Sequence, residues 1–430
     1  MIALLAILLL VFALLGAPLY AVIAGAAFLC FGSVSEDFET FAANAQSLPT
    51  ELYGKMAGSP LFVTLPLFTF AGYLLAESRA PVRLVGVSRA LLGWMPGGSA
   101  VVAIAVCAFF TAFTGASGVT IIALGGLLYP LLEKDGYSER FNLGLLTTGG
   151  SLGLLFPPSL PIILYGLIAG VDIDHLFRGG ILPGILLMLV LAGYSAWVGR
   201  RGSSRVPFVA RAVWVALAAA AWEIPIPFLI LGGIYGGFFT PSEAAAVTAV
   251  YVLFVEVLVY RDVPLRRLPD IARRSMVLIG GVLIILAAAL GFTNFLILEN
   301  VPQKILAAIG AHIQDRFTFL ILLNIFLLIV GCLMDIFSAT LVVVPLILAI
   351  GKQFDVHPVH LGIIFLTNLE IGFLTPPVGI NLFLSSLRFK RPVIEIYRAT
   401  VPFLLLLLLA LGVITYVPWL STALLPSAGK

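Results

Sequence analysis

Charged side chains are scarce in this sequence, at 10% of 430 residues, while hydrophobic residues make up 61%. Soluble domains carry roughly 25% charged residues, so this chain has too few charges to cover the surface of a soluble fold of its length. Lipid must therefore be the solvent for much of it. At about 20 apolar residues per crossing plus short loops, the length allows roughly ten to twelve spans.

Cysteine and the common enzyme motifs are also in short supply. The three cysteines lie in apolar runs with no spacing pattern, which argues against a disulfide framework or a zinc site. Neither a phosphate loop nor a His-Glu-x-x-His motif occurs. Residues 149–153 match the Gly-x-Ser-x-Gly hydrolase pattern, but that motif needs a preceding strand, and the flanks here are typical of membrane helices. We therefore expect no enzyme, no transition-metal site and no organic cofactor.

Basic residues do not form a nucleic-acid patch, and the net charge is only +3. They lie mostly in short loops between apolar runs, which the positive-inside rule assigns to the cytoplasm. We expect contact with membrane lipid and none with nucleic acid. An acidic stretch over 36–51 indicates the opposite side. The basic clusters are Arg200, Arg201 and Arg205, then Arg261, Arg266, Arg267, Arg273 and Arg274, and finally Arg388, Lys390, Arg391 and Arg398.

The first 32 residues are almost wholly apolar, and the first basic side chain is Lys55. A secretory signal peptide starts with basic residues. We therefore interpret residues 1–32 as a retained membrane segment.

Two apolar blocks, 141–170 and 360–387, contain a break of the same kind. Each holds Gly-x-x-x-Pro-Pro with polar residues shortly before the Gly, and an offset of 219 residues relates Pro157 to Pro376. Two prolines bar a continuous helix, and irregular backbone at membrane depth is costly unless it is buried or lines a cavity. A pair of merely kinked helices is the alternative interpretation.

A second interrupted helix precedes each break. The first carries polar and glycine residues over 114–120 and the second over 331–340, and Thr120 and Asp335 each stand ten residues before a proline. An internal repeat with interrupted segments at matching positions is the best sequence pointer to the binding site of a secondary transporter.

Blocks of about 28 residues are long for one helix and short for two crossings. We therefore expect 141–170 and 360–387 to be re-entrant hairpins whose half-helices meet in mid-membrane. Carbonyls that end the first half-helix suit a cation, and N–H groups that start the second, at the Pro-Pro pair, suit an anion. Thr375 is then expected to cap a half-helix that begins at Pro376. Residues that follow the breaks and would contact substrate are Ser159, Gly379 and Asn381.

Two acidic residues lie inside apolar blocks. Asp335 is expected to bind sodium with Ser338 or Thr340, or to accept a proton, because an ionisable group at bilayer depth is a functional candidate by default. Capping of the following helix is the alternative. Glu370 lies at the second break, either in the site or toward a solvated side of the hairpin.

Two further segments have structural interpretations. Residues 240–243 predict a capping box, with Thr240 as N-cap and Glu243 as its partner. Residues 205–223 form either an interfacial helix or an ordinary short span.

At these motifs the sequence resembles the large membrane subunit (DctM type) of tripartite ATP-independent periplasmic (TRAP) transporters. The resemblance extends from about Leu4 to the last span, so it covers nearly the whole chain. The most specific stretches are 368–383 and 240–247. The matching stretches as a whole are 149–161, 233–247, 334–345 and 368–383.

The resemblance implies work with a small four-helix membrane subunit and a soluble periplasmic substrate-binding protein, driven by a sodium gradient. It implies uptake of organic acids, such as C4-dicarboxylates, sialic acid or other sugar acids, across the bacterial inner membrane. The implied fold is all-α, with about 11 transmembrane helices and two re-entrant hairpins in an inverted repeat. It has a scaffold region and a transport region that moves as an elevator.

We expect one integral membrane domain over 1–430, with a first repeat over 60–198, a connecting scaffold region over 199–275 and a second repeat over 276–425. Glu370 departs from the small or apolar residue expected at its position. A stand-alone ion-coupled carboxylate carrier is the alternative function. The implied sodium-binding residues are Ser117, Gly149, Gly153, Asp335, Ser338, Asn368, Gly372 and Thr375. The implied substrate-binding residues are Ser151, Pro158, Ser159, Pro377, Gly379 and Asn381.

Overall fold

Helices account for the regular structure of the chain, as the composition predicts. A computed structural model describes residues 11–12, 19–34, 37, 39, 41–42, 46, 53, 61–200, 208–298 and 315–426. Within those ranges no strand occurs, which confirms an all-α fold. Half of the 1–32 segment and part of the first basic cluster and of the acidic stretch lie outside the described residues.

The helices of the first half alternate between long spans and shorter pieces. In chain order they are α1 (Leu19–Val34), α2 (Leu61–Glu77), α3 (Ala80–Leu92), α4 (Gly98–Thr114), α5 (Ser117–Lys134), α6 (Glu139–Gly149), a 3-10 turn (Leu152–Leu155), α7 (Leu160–Ala169), α8 (Ile173–Gly199), α9 (Ala210–Ala219) and α10 (Pro225–Tyr235).

The second half follows the same style. Its helices are α11 (Pro241–Phe254), extended by a π turn (Val255–Val259), a 3-10 turn (Leu265–Arg267), α12 (Leu268–Leu298), α13 (Arg316–Leu333), α14 (Ile336–Gln353), α15 (Pro358–Gly372), α16 (Ile380–Phe389), α17 (Val393–Tyr416) and α18 (Trp419–Thr422). The predicted capping box is confirmed at the start of α11.

The described helices include both long and short apolar ones. Among the described residues, five helices are long and apolar enough to cross alone, and the bent pair 139–155 and 160–169 would make a sixth. Shorter apolar helices, such as α4 and α15, accompany them. The number of about 11 crossings therefore stays a prediction.

The first helical hairpin is formed by α4 and α5, not by 141–170. Gly115, with a φ of 63°, and Ala116 link the two helices. At the far ends, the hydroxyl of Ser99 in the first turn of α4 donates a hydrogen bond to Asp135, the residue after α5. Two helices that meet at both ends run antiparallel, so residues 98–134 are the first hairpin.

The second hairpin is formed by α13 and α14 in the same way. Met334 and Asp335 link them at one end. At the other end, the ring of Phe319 stacks on the ring of Phe354, with centroids 4.4 Å apart. Residues 316–353 are therefore the second hairpin.

The predicted hairpin at 141–170 is wrong. The helical segments before and after its break differ in direction by 43°, so the chain runs on instead of folding back. Reversal at the first hairpin uses a left-handed glycine, and no residue between α6 and α7 has a positive φ. Residues 139–169 are called the first broken segment below.

The predicted hairpin at 360–387 is wrong as well. The carbonyl of Pro358, at the start of α15, accepts a hydrogen bond of 2.9 Å from the hydroxyl of Tyr165 in α7. Arg391, just beyond α16, pairs with Glu139 at the start of α6. The second broken segment, 358–389, therefore runs antiparallel to the first, and its two ends lie at opposite ends of the molecule.

The two halves are inverted relative to each other. The base of the first hairpin adjoins the start of α6, at the end that holds Glu139 and Arg391, called the basic end here. The base of the second hairpin adjoins the start of α15, at the other end. Each half thus consists of a hairpin followed by a broken segment, with opposite orientation, which is the pattern of inverted-repeat transporters.

Basic loops gather at the basic end. The guanidinium of Arg140 donates to the carbonyl of Arg398 at 2.9 and 3.2 Å. A Cβ added to Gly199, the residue before Arg200, would lie 2.6 Å from Gly97, at the base of the first hairpin. The described parts of two basic clusters therefore share one side, in agreement with the positive-inside interpretation.

Candidate functional site

The tip of the first hairpin contacts the second broken segment. The hydroxyl of Ser117, at the start of α5, donates a hydrogen bond of 2.7 Å to Oδ1 of Asn381, in the first turn of α16. Both side chains are buried. The same tip lies against the first broken segment, since a Cβ on Gly115 would lie 2.5 Å from Leu160. A residue predicted for sodium and one predicted for substrate are thus in direct contact.

The second hairpin also lies against both broken segments. The N–H of Gly379 donates a hydrogen bond of 3.1 Å to the carbonyl of Cys332. A Cβ added to Gly372 would lie 2.6 Å from the main chain of Gly331, so α13 and α15 touch backbone to backbone. Because α14 also packs along α7, hairpins and breaks from both halves meet in one region.

Hydroxyl and carbonyl oxygens gather where the first hairpin meets the first break. The hydroxyl of Thr111 lies 2.7 Å from that of Thr120 and 2.8 Å from the carbonyl of Gly150. Thr114 Oγ1 lies 3.5 Å from Thr120 Oγ1. All three threonines are fully buried, and oxygen atoms are the ligands that hard cations prefer.

The sequence interpretation missed Thr111 and Thr114 and treated Thr120 only as a counterpart of Asp335. Hydroxyls nine residues apart meet here because the chain reverses between them. The available signal was the clustering of three threonines around a Gly-Ala-Ser-Gly tip.

Asp335 caps α14, as the structural alternative predicted. Its Oδ1 accepts hydrogen bonds of 3.0 Å from the N–H groups of Phe337 and Ser338, and its Oδ2 accepts the hydroxyl of Ser338. Thr340 is committed to the carbonyl of Ile336 at 2.5 Å. A carboxylate that caps a helix can still bind a cation, so sodium binding by Asp335 stays a prediction.

The counterpart of Asp335 in the first half is Ala116, not Thr120. The 219-residue offset of the breaks also relates Ala116 to Asp335, and both residues are N-caps of the second hairpin helix. Ala116 has no side chain with which to cap α5. The equal spacing of Thr120 and Asp335 from a proline therefore led to the wrong pairing of the two residues.

Asn368 is held by its amide nitrogen. Nδ2 donates to Oδ1 of Asn324 at 2.6 Å and to the carbonyl of Ile364 at 2.8 Å. Oδ1 is buried and has no hydrogen-bond partner among the described residues. An oriented, unpaired oxygen at the end of α15 suits a cation, and Asn324 is a positioning residue that the sequence did not suggest.

Glu370 is completely buried, so the predicted alternative of a solvated side is wrong. Its exposed fraction is 0%, and neither carboxyl oxygen has a hydrogen-bond partner among the described residues. By the 219-residue offset its counterpart is Ser151. The acid therefore adds to the second half a group that the first half lacks.

The predicted start of the second half-helices is corrected by a few residues. α16 begins at Ile380 with Gly379 as N-cap, at a φ of 47°, and not at Pro376. Thr375 is therefore not a cap, and its hydroxyl donates to the carbonyl of Ile371 at 3.1 Å. A glycine at the cap adopts the left-handed conformation that threonine disfavours.

The Pro-Pro pairs are bends before the helix starts, each with a cis bond, Pro157 to Pro158 and Pro376 to Pro377. The carbonyl of Pro377 accepts a 2.6 Å hydrogen bond from Tyr397, so Pro377 is anchored to α17.

Unpaired polar atoms remain just after the breaks. Ser159 is the N-cap of α7, and its buried hydroxyl has no hydrogen-bond partner in the part of the chain that the structure describes. Asn381 Nδ2 is also buried without a partner among the described residues. Both atoms are available as donors to a bound acceptor.

Gly149, Ser151 and Gly153 are all buried around the end of α6. Ser151 donates its hydroxyl to the carbonyl of Thr148 at 3.3 Å. A Cβ on Gly153 would lie 2.2 Å from the carbonyl of Ala108, so glycine lets the 3-10 turn pack directly on α4. Gly153 thus has a packing role: it positions the first break against α4.

A family model described as "Tripartite ATP-independent periplasmic transporter, DctM component" matches residues 4–420. The chain belongs to the DctM family. The inverted halves and paired breaks are therefore features of a transporter subunit. Homologues of this kind are permeases and not enzymes, and the apolar helices make this DctM chain a multi-pass membrane protein.

Two similar proteins are transporter permeases whose names state a substrate. The DctM chain is 36% identical over 364 residues to the C4-dicarboxylate TRAP transporter large permease protein DctM of Pseudomonas aeruginosa, covering 84% of this chain and 85% of that protein. It is 34% identical over 385 residues to the isethionate TRAP transporter permease protein DctMQ of Oleidesulfovibrio alaskensis. That match covers 87% of this chain but 60% of the longer relative.

A solved structure has a similar fold. The YdaH transporter of Alcanivorax borkumensis superimposes with a TM-score of 0.61 over 90% of both chains, at 15% sequence identity. This likeness concerns the fold alone.

Proposed function

We propose that the chain is the large permease subunit of a sodium-coupled secondary transporter that takes up organic acids. The substrate is a C4-dicarboxylate or a sugar acid such as sialic acid, delivered by a periplasmic binding protein. A small four-helix membrane subunit completes the complex in the bacterial inner membrane, with the basic end in the cytoplasm. The hairpins and broken segments form a transport region that moves as an elevator against a scaffold.

The observation that carries this proposal is the hydrogen bond between Ser117 and Asn381. It joins a hairpin tip of one half to a broken helix of the other. Irregular backbone from both halves therefore lies buried in one place, which membrane proteins tolerate where it serves a binding site.

Sodium binding is supported by two sets of oxygens. In the first half, the threonines at 111, 114 and 120 and the carbonyl of Gly150 supply neutral ligands. In the second half, the carboxylate of Asp335 and the free Oδ1 of Asn368 supply ligands near the second tip. Each set matches the oxygen preference of hard cations.

Binding of an organic anion is supported by hydrogen-bond donors at the starts of the helices that follow the two breaks. The starts of α7 and α16 present N–H groups of a helix N-terminus, which favour negative charge. Ser159 Oγ and Asn381 Nδ2 are buried donors for which the described residues provide no acceptor. The two relatives are named for transport of a C4-dicarboxylate and of isethionate, which are both organic acids.

Reconstitution tests the proposal. The chain and its small subunit are placed in proteoliposomes with the cognate binding protein outside, and uptake of labelled succinate or sialic acid is followed with and without an inward sodium gradient. We expect uptake only when gradient and binding protein are both present. Equal uptake without sodium would refute the coupling, and uptake without the binding protein would favour the stand-alone carrier.

A further inference from the structure

A buried ion cluster lies away from the candidate site, around Arg83 of α3. Its guanidinium contacts three carboxylates: Glu223 through Nε, Asp262 through Nη1 at 2.6 Å and Glu256 through Nη2 at 3.1 Å. The guanidinium also lies over the ring of Tyr260, 3.8 Å from its centroid. These residues are called the Arg83 cluster below.

The cluster has too much negative charge for its surroundings. The side chains of Glu223 and Glu256 have no exposed surface, and those of Arg83 and Asp262 are 13% and 10% exposed. Three ionised carboxylates would leave two negative charges uncompensated. Burying an unpaired charge costs several kcal/mol, and the usual remedy is neutralisation of the group.

Among the residues that the structure describes, Arg83 is the one cation with an ion pair to these three carboxylates. Glu256 is faced by Arg83 from α3, Ser78 from the end of α2, Glu223 from the turn before α10, and Tyr260 and Asp262 from the segment after α11. The neighbouring arginines at 267 and 274 pair with Glu77, and α10 carries no charged residue.

One oxygen in the cluster is free. Oε2 of Glu256 accepts from Arg83, but Oε1 is buried with no hydrogen-bond partner among the described residues. The hydroxyl of Ser78 gives its own proton to the carbonyl of Leu75 at 2.9 Å and accepts the N–H of Ala80 at 3.0 Å. With its proton on Leu75, Ser78 keeps a second lone pair that can accept a proton held by Glu256.

Glu223 accepts hydrogen bonds through both carboxyl oxygens, and Asp262 accepts two through Oδ2. Glu223 Oε2 accepts the hydroxyl of Tyr260 at 3.1 Å, and Oε1 accepts Arg83. Asp262 Oδ2 accepts Arg83 and the N–H of Arg79, at the start of α3. Their hydrogen bonds favour the ionised form, which leaves Glu256 as the carboxyl to be neutralised.

We propose that the Arg83 cluster is a buried proton-binding site, with the proton on Oε1 of Glu256. The cluster pins the start of α3 to the segments on either side of α10 and α11. The other end of α3 leads into the first hairpin, where Arg89 lies 3.8 Å from Asp135. By stabilising the cluster, the bound proton holds α3 in place between the cluster and the base of that hairpin. The inference goes beyond the proposed transport function and does not depend on it.

Thermal unfolding of the purified full chain between pH 5 and pH 7 tests the proposal, because an unfolded-state glutamate releases its proton near the lower end of this range. A proton held by the folded state and released on unfolding makes stability fall as pH rises. For one proton in a chain of this size, we expect the melting temperature to fall by roughly 1 to 2 °C per pH unit. Glu256→Gln, which copies the protonated form, should remove that slope, and Glu133→Gln, at an exposed position of α5, should keep it.

Two further measurements test the proposal independently of the Glu256→Gln variant. Glu223→Gln removes one negative charge at another position and should also flatten the slope. If Glu256→Gln does not fold, the infrared band of a protonated carboxyl is compared between the wild-type chain and Glu223→Gln, and it should weaken in the variant. A slope retained by both glutamine variants overturns the proposal. So does a stabilisation that follows sodium concentration instead of pH, which would identify a metal cation as the ligand.

Discussion

The tips of the two hairpins have different residues at the N-cap of the second helix, Ala116 in the first half and Asp335 in the second. Both residues start the second helix of their hairpin, but only Asp335 caps it with a side chain. The first half gathers buried threonine hydroxyls, while the second half gathers carboxyl and amide groups around Asn368 and Glu370. The duplicated course of the main chain therefore does not require duplicated chemistry. We expect the two halves to contribute unequally to ion binding.

The largest contrast should come from Asp335→Asn. Asparagine caps helices as well as aspartate does, so stability should be retained while the negative charge is lost. We expect sodium-dependent uptake to fall by about 100-fold, or ~2.8 kcal/mol. Uptake against sodium concentration in proteoliposomes measures this, with the melting temperature as the folding control. Unchanged sodium dependence would remove Asp335 from the ion site.

Backbone contact should matter equally in both halves. Gly153→Ala and Gly372→Ala each place a Cβ within 2.6 Å of main-chain atoms, so we expect a loss of about 2 kcal/mol in the free energy of unfolding. Gly193→Ala in α8 is the matched control, because nothing lies within 4 Å of its Cβ, and it should gain roughly 0.5 to 1 kcal/mol. Equal stability of all three variants would contradict the close approach.

The contact between the halves is tested by Ser117→Ala and Asn381→Ala. Each should reduce uptake by about tenfold, or ~1.4 kcal/mol, and the double variant should lose little more, because the two residues share one hydrogen bond. Ser386→Ala, also on α16 but bonded to the carbonyl of Arg391, should behave like the wild type. Fully additive losses would mean that the two side chains act separately.

The smallest effect is expected from giving the first half the cap it lacks. Ala116 has extended backbone angles suited to an N-cap, with φ of −134° and ψ of 111°. Ala116→Ser should therefore stabilise the chain by about 0.5 to 1 kcal/mol without altering sodium dependence. Denaturant titration measures the gain. A lower stability would show that the first tip has no room for a hydroxyl.

Local chemistry made part of this architecture predictable. Two Pro-Pro pairs must interrupt a helix wherever they occur, and Asp335 followed by a polar residue three places on is a recognisable cap. The 219-residue offset needs only the sequence. The membrane class and the family followed from these features.

Long-range geometry explains what the sequence did not reveal. Whether the chain folds back at a break depends on contacts such as Ser99 with Asp135, which no local pattern reports. The hairpins were therefore assigned to the wrong blocks. Burial of Glu370 depends on neighbours from distant helices, and the partners of Arg83 lie more than 100 residues away in sequence. Such groupings appear only once the helices are packed.

The contact of Gly331 with Gly372 has a mechanical consequence. Helices separated by long side chains can shift while those side chains repack. Two main chains in direct contact have no intervening side chains that could repack. Displacement of α13 must carry α15 with it. Cys332 follows Gly331 by one residue, and Asn368 precedes Gly372 by four. We therefore expect the carbonyl of Cys332 and the amide of Asn368 to move together as one rigid body.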